Sequence, residues 1–539
     1  MSTPEVSRRA FLVLSGSAVG ALAIAACVPK TGFVESSSTS STASSTVPAV
    51  GGSVDVEIAM RAISDRVEIQ PGIETDVWRL VAEVTDGDAA VVEPIAGSYL
   101  GPTLRLRQGQ RVRIVFDNEI PEETIVHWHG LDVPEDMDGH PRFAVPEGGR
   151  YEYEFTVVNR AGTYWYHPHP HGRTGPQVYA GMAGLLLVGD DEEDALSLPS
   201  GEFELPMVLQ DRTFDAGGLV YLPNGMMDQM MGFLGDEILV NGHPDAAFRV
   251  ASRSYRLRIL NGSNARIYKL GWDDGTPLVV LATDGGLLEA PATRPYVTLG
   301  PAERVDLWVD FEADATGTSR RLVSLPFESP QMMGGMMGST SSIPNGAAFD
   351  IASFEVERDA ASTDPLPGRL SDLGLASADE AVNPDAARTI VLAMARGSWT
   401  LNGRTFQMTE VSPEETVQFG TTEVWEFFNA GGGMGGMGGG TGRGMGRGMQ
   451  EGLAHPVHMH GQQFQVLERS IDDAGRAAWE SVREGYVDEG WKDTVLVMPG
   501  ERVRILRRFT GFPGLFLYHC HILEHEDMGM MRNFRIATT

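Results

Sequence analysis

Ten of the 13 histidines lie in four tight groups: His127-Trp-His129, His167-Pro-His169, His455-Pro-Val-His458-Met-His460, and His519-Cys520-His521 followed by His525. A lone histidine is ordinarily a packed or surface residue, but four paired groups in one chain do not arise that way. Neutral imidazole is the commonest metal ligand among side chains. In a strand, residues i and i+2 leave the same face, so each His-x-His pair offers two imidazoles to one point in space, which suits adjacent metal ions. Cys520 with His455, His525 and the thioether of Met530 makes an N2S set with a weak axial sulfur. That is the donor set of a blue-copper electron-transfer centre, whereas structural zinc takes four ligands and no thioether. Alternation along His519-Cys520-His521 sends the thiolate to one side and both imidazoles to the other, so one tripeptide joins a mononuclear copper to a neighbouring cluster.

Strands must hold these residues. Arg111-Val-Arg-Ile-Val-Phe116 and Tyr151-Glu-Tyr-Glu-Phe155 alternate with period two and are bounded by Gly, Pro, Asn and Asp, while long amphipathic helices are scarce. The fold class read from this pattern is all-β, of sandwich type. The layout repeats. Residues 149–155 followed by Gly162 to His167 match residues 500–506 followed by Gly514 to His519, and Pro301 to Val309 is a middle copy without the histidine ending. Strands ending in asparagine at Asn118, Asn261 and Asn429 repeat as well. Three related β-domains follow, the first and last equipped for chemistry.

The motifs HWHGL, GTYWYHPHPHGRTGPQV, HPVHMHG and YHCHILEHEDMGMM closely resemble those of the multicopper oxidases, in particular the three-domain bacterial copper-efflux oxidases and laccases. The resemblance spans residues 53–539 and implies three cupredoxin-like Greek-key β-sandwiches, at 53–195, 196–370 and 371–539. By matching position it implies four copper ions. His455, Cys520, His525 and Met530 would hold the type 1 copper, His127 and His458 the type 2 copper. His129, His167, His169, His460, His519 and His521 would hold the type 3 pair. Glu526 and Asp138 stand where the family has acids that assist proton delivery. His140, His171 and His243 are left as non-ligands, with His171 expected to support the ligands from behind because it follows the His-Pro-His pair. The implied activity is four one-electron oxidations coupled to reduction of O2 to water, with Cu(I), a phenol or a similar small reductant as donor. Other readings are a copper-sequestering protein with incidental oxidase activity, a scaffold relative that has lost its copper, and a trimeric nitrite reductase. The filled ligand set argues against the last two.

Half of the 24 methionines fall at 226–231, 332–337 and 434–449. Thioethers are soft ligands that prefer Cu(I), so the Gly-flanked groups read as cuprous docking surfaces. One departure bears on this. The copper-efflux oxidases carry Asp and Met four and two residues before the first His of the HPxHxH motif, where this chain has Glu451 and Leu453.

Ser7-Arg8-Arg9 opening an apolar run to Ala26 looks like a twin-arginine export signal, and Ile24-Ala-Ala-Cys27 resembles a lipobox, with residues 28–52 as a Ser/Thr-rich tether. The expected location is periplasmic or on the outer face of the membrane, with a possible lipid anchor at Cys27, as a monomer. Two cysteines in 539 residues leave no disulfide framework. A formal charge of −31, or −32 once residues 1–26 are removed, speaks against nucleic acid as partner.

Overall fold

The alternating segments form strands whose apolar positions turn inward. Arg111–Asn118 buries Val112, Ile114 and Phe116 and leaves the residues between them half-exposed. The computed structural model describes residues 53–538 apart from 216–217, 222–225, 330–340, 396, 432–451 and 474, with only the backbone of 226–228. The export signal, Cys27 and the tether lie outside the described residues, as do the methionines at 332–337 and 434–449 and Glu451.

Strands assemble into three pairs of larger sheets. Within residues 56–189 a four-stranded sheet accompanies a five-stranded one, within 204–359 a seven-stranded sheet accompanies a five-stranded one, and within 388–537 a six-stranded sheet accompanies a five-stranded one. Each pair encloses its own apolar core, around Trp128 and Phe116 in the first, Leu257 and Phe354 in the second, and Trp425 and Phe534 in the third. The protein is a mostly β-strand chain of cupredoxin-like sandwiches. No helix among the described residues exceeds six residues, so none is long and apolar enough to cross a membrane.

The elements that position the histidines are β1 (Val126–His129), β2 (Gly162–Pro168), α1 (Thr174–Tyr179), α2 (Met226–Met231), β3 (Arg304–Asp310), β4 (Ser398–Leu401), β5 (His455–Met459), β6 (Thr494–Val497), β7 (Gly514–Cys520) and α3 (Leu523–Asp527). β1 pairs antiparallel with β2, setting His127 opposite His167, and β5 pairs antiparallel with β7, setting His458 opposite His519 and Val457 opposite Cys520. Alternation does the rest. Trp128, Tyr164 and Tyr166 point into the first core, while His127, His129, Trp165 and His167 gather on the other face, the Trp165 ring lying tilted 4.3 Å from the His167 ring and 5.1 Å from that of His129.

Candidate metal centre

Cys520 points into the third core, among Val457, Met459, Phe516 and Met530. Its Sγ is 3.4 Å from His455 Nδ1 and 3.5 Å from His525 Nδ1, and all four donor residues, Met530 included, are buried. His525 Nε2 donates to the Met230 carbonyl at 2.9 Å, which fixes the tautomer and leaves Nδ1 with its lone pair toward the sulfur. The Trp399 ring, on β4, covers both imidazoles, its centroid 4.6 Å from His455 and 5.3 Å from His525, and its Nε1 donates to the same Met230 carbonyl.

On the opposite side of the His519-Cys520-His521 tripeptide the remaining eight imidazoles converge, none more than 1% exposed. A ring nitrogen facing a carbonyl or carboxylate oxygen carries the proton, and the other nitrogen then holds the lone pair. His127 Nδ1 faces the Asp138 carbonyl at 2.6 Å, His458 Nδ1 that of Asp493 at 2.9 Å and His167 Nδ1 that of Pro168 at 2.9 Å. His519 Nδ1 faces the Cys520 carbonyl at 3.2 Å, and His460 Nδ1 faces Asp138 Oδ2 at 2.7 Å. All five present Nε2. His129 is reversed: Nε2 meets Asp493 Oδ1 at 3.0 Å and Thr494 Oγ1 at 3.2 Å, so Nδ1 is its free donor.

The free nitrogens then meet across the strands. His127 and His458 approach at 3.4 Å, and His519 Nε2 lies 3.2 Å from His460 Nε2 and 3.4 Å from His169 Nε2. His129, His167 and His521 form a third group, with ring centroids 5.1 to 5.6 Å apart. Two of the His-x-His pairs meet the expectation of one shared point: the donor nitrogens of His127 and His129 lie in one group with His167, and those of His458 and His460 in one group with His127. Two residues of strand span roughly 6.5 Å, and the other two pairs are divided between neighbouring groups: His169 and His519 join His460, while His167 and His521 lie with His129.

These residues fit copper. Facing lone pairs at such distances repel unless a cation stands between them, and His129 Nδ1, His167 Nε2 and both nitrogens of His521 have no hydrogen-bond partner among the described residues. Burial pushes the histidines down, His458 and His525 to about 3 and His129, His460 and His521 well below their ordinary range, so they are neutral and able to bind metal. Burial pushes the Cys520 thiol up, and a soft cation would have to displace its proton.

Both expected acids lie behind the imidazoles. Asp138 is buried beside His460 and His127, and burial pushes its carboxyl up. Glu526 accepts from Thr174 Oγ1 at 2.7 Å, with Oε2 3.2 Å from His519 Nδ1. Burial works against its charge, but His169 and His519 hold the carboxyl well below its usual range. Asp527, next along α3, accepts from the Thr174 and Gly175 amides at 2.8 and 2.9 Å and so caps α1.

His140 Nε2 pairs with Asn533 and His243 Nε2 with the Ala96 carbonyl, both away from the cluster. His171 departs from the sequence expectation. The strand ends at Pro168 and the following turn carries the side chain into solvent, against Phe406, so it supports no ligand. Sequence reasoning missed Asp493, whose carboxylate holds His129 and whose carbonyl holds His458, and it missed Trp399 and the Met230 carbonyl. Single residues without a spaced partner give no signal.

Family models described as multicopper oxidase match residues 79–193 and 381–539. A protein of Staphylococcus haemolyticus named multicopper oxidase mco is 31% identical over 441 residues, covering 82% of this chain and 83% of its own length. A laccase of Bacillus subtilis is 29% identical, covering 82% and 89%. The crystal structure of the multicopper oxidase McoA of Aquifex aeolicus superposes with a TM-score of 0.71 at 35% identity, covering 89% of this chain and 96% of that one.

Proposed function

This chain belongs to the multicopper oxidase family, and we propose that it is a metallo-oxidase that takes electrons from a small cationic donor, Cu(I), in preference to phenols. It is an oxidoreductase that uses O2. The ligand assignment we adopt is His455, Cys520, His525 and Met530 for type 1, His127 and His458 for type 2, and His129, His167, His521 with His169, His460, His519 for the type 3 pair. Bound there, copper supplies one-electron chemistry, and four electrons with four protons balance O2 against two waters. The chain's own residues supply the rest. The Cys520 peptide joins the sulfur to His519 and His521 covalently, and the 3.2 Å contact from His519 Nδ1 to the Cys520 carbonyl shortens that route. Glu526, hydrogen-bonded by Thr174, and Asp138, hydrogen-bonded by His460, hold and pass protons at carboxylate oxygens beside the ligand rings.

The observation that carries the donor preference is the roof over His455 and His525. Neither ring has exposed surface, and Trp399 with the Met230 carbonyl occupies the edge a bulky aromatic would need to touch. A cation needs only soft donors to dock on, and the thioethers of the methionine groups at 226–231, 332–337 and 434–449 of the sequence are of that kind. A laccase-like phenol activity is the second reading, favoured by Glu451 and Leu453 in place of the Asp and Met of the copper-efflux oxidases. The twin-arginine pattern and Cys27 support export and lipid anchoring; lipid labelling lost in Cys27→Ala tests the anchor. Steady-state O2 uptake with Cu(I), a phenol and Mn(II), in the intact chain and with residues 431–448 deleted, tests the donor. Cu(I) is expected to be preferred and to lose most from the deletion. Equal or better phenol turnover by the intact chain, with Cu(I) oxidation untouched by the deletion, would sink the proposal.

A further inference from the structure

Arg304 begins β3, in the part of the chain that offers no ligand to either centre, and its side chain is buried. Each of its five N–H groups meets one acceptor. Nε donates to the Thr163 carbonyl at 2.8 Å, Nη1 to the Ala302 carbonyl at 3.1 Å and Asp493 Oδ1 at 2.7 Å, and Nη2 to the Asp284 carbonyl at 2.9 Å and Asp493 Oδ2 at 2.5 Å. Thr163 lies on β2, the strand that carries His167, and Asp493 immediately precedes β6. One guanidinium thus ties together the first, middle and last sandwiches.

Asp493 is the point where this tie reaches the cluster. Its Oδ1 holds His129 Nε2 at 3.0 Å and its carbonyl holds His458 Nδ1 at 2.9 Å, so a single residue selects the tautomers of two imidazoles that stack 3.7 Å apart. A second observation comes from the HWHG motif. A Cβ on Gly130, whose φ is +90°, would stand 2.5 Å from Asp493 Oδ2 and 2.9 Å from Arg304 Nη2. The motif ends in glycine at the spot the ion pair fills. From the middle sandwich Asp284 braces the same corner, its Oδ1 accepting from the Arg304 amide at 2.8 Å and its Oδ2 lying 3.1 Å from Lys492 Nζ.

We propose that Arg304 is a positioning residue for the trinuclear site: by gripping both oxygens of Asp493 it makes His129 bind through Nδ1 and His458 through Nε2. The inference rests on the copper assignment above. A lysine carries the charge but not the planar fork, so it cannot hold two carboxylate oxygens and the Thr163 carbonyl together.

The test uses full-length, copper-loaded Arg304→Gln and Arg304→Lys beside wild type, with the type 1 copper as internal control. Both variants should keep the blue absorption and its anaerobic bleaching rate by donor. The type 2 EPR signal should be lost or altered, and reoxidation by O2 should slow roughly tenfold to a hundredfold. If only Arg304→Lys is recovered folded, its EPR spectrum decides. Unaltered type 2 parameters and reoxidation in a folded variant would overturn the inference, and loss of the blue band in both would assign Arg304 to the fold as a whole instead. A wild type with no type 2 signal would overturn the copper assignment first and this inference with it.

Discussion

Glu526 illustrates how a catalytic part is placed at the scale of a single residue. It follows a donor to one centre, His525, yet its carboxylate lies against His519 and His169 of the other. Replacing it with Gln keeps the shape and removes the charge and the proton-holding oxygen. Turnover limited by O2 reduction is expected to fall about a hundredfold, within the usual range for a positioned acid or base, while the blue absorption persists. Stopped-flow reoxidation checks this, and unchanged turnover at saturating reductant would remove Glu526 from the mechanism. Eight of the histidines, and Cys520 between two of them, were legible because strand geometry forces donors into i, i+2 pairs, and that spacing survives in sequence; His455 and His525 were legible because they stand within four residues of such a pair. Asp493 was not legible, since the residue it orients, His129, lies 364 positions away and no local pattern records the contact.

At the scale of elements, the strands were readable and the short helices were not. Arg111–Asn118 shows clear alternation, whereas α1 and α3 are too short for a 3.6-residue period to emerge. α1 also lacks a local cap: Arg173 at its N-cap makes no capping bond, and Asp527 supplies one from α3. Asp527→Ala should therefore cost about 1 kcal/mol or more and loosen Thr174, the residue that holds Glu526. A lower denaturant midpoint together with slower O2 reduction checks both effects. The roof over the type 1 ligands gives a second test. Trp399→Ala opens the edges of His455 and His525, so oxidation of a bulky phenol should rise relative to Cu(I), at a stability cost of roughly 3–5 kcal/mol for emptying a buried indole site. An unchanged ratio of the two activities would show that Trp399 does not set access.

For the whole molecule, the threefold repeat was legible from recurring strand-to-asparagine segments, but what the ligand-free middle sandwich contributes was not, because its contacts are ion pairs between distant strands. Glu204 shows their energetic weight. Burial opposes its charge, yet Arg258 at 2.6 Å and Arg105 at 2.8 Å, with Arg256 nearby, hold its carboxyl at about 2 against an ordinary 4.5. A depressed carboxylate stabilises the fold fully above its unfolded value and loses that stabilisation as pH falls from 4.5 toward 2, here about 3 kcal/mol. Denaturation midpoints of wild type should drop over that interval, and those of Glu204→Gln should drop less. The guanidinium of Arg304 adds a consequence for engineering by recombination. A chimera that borrows its central module from a homologue inherits a working catalyst only if the donor brings an arginine at this place in the same register. Modules that look interchangeable on an alignment are here keyed to one another by a single side chain, and shuffled libraries should show survival tracking that key more closely than overall identity.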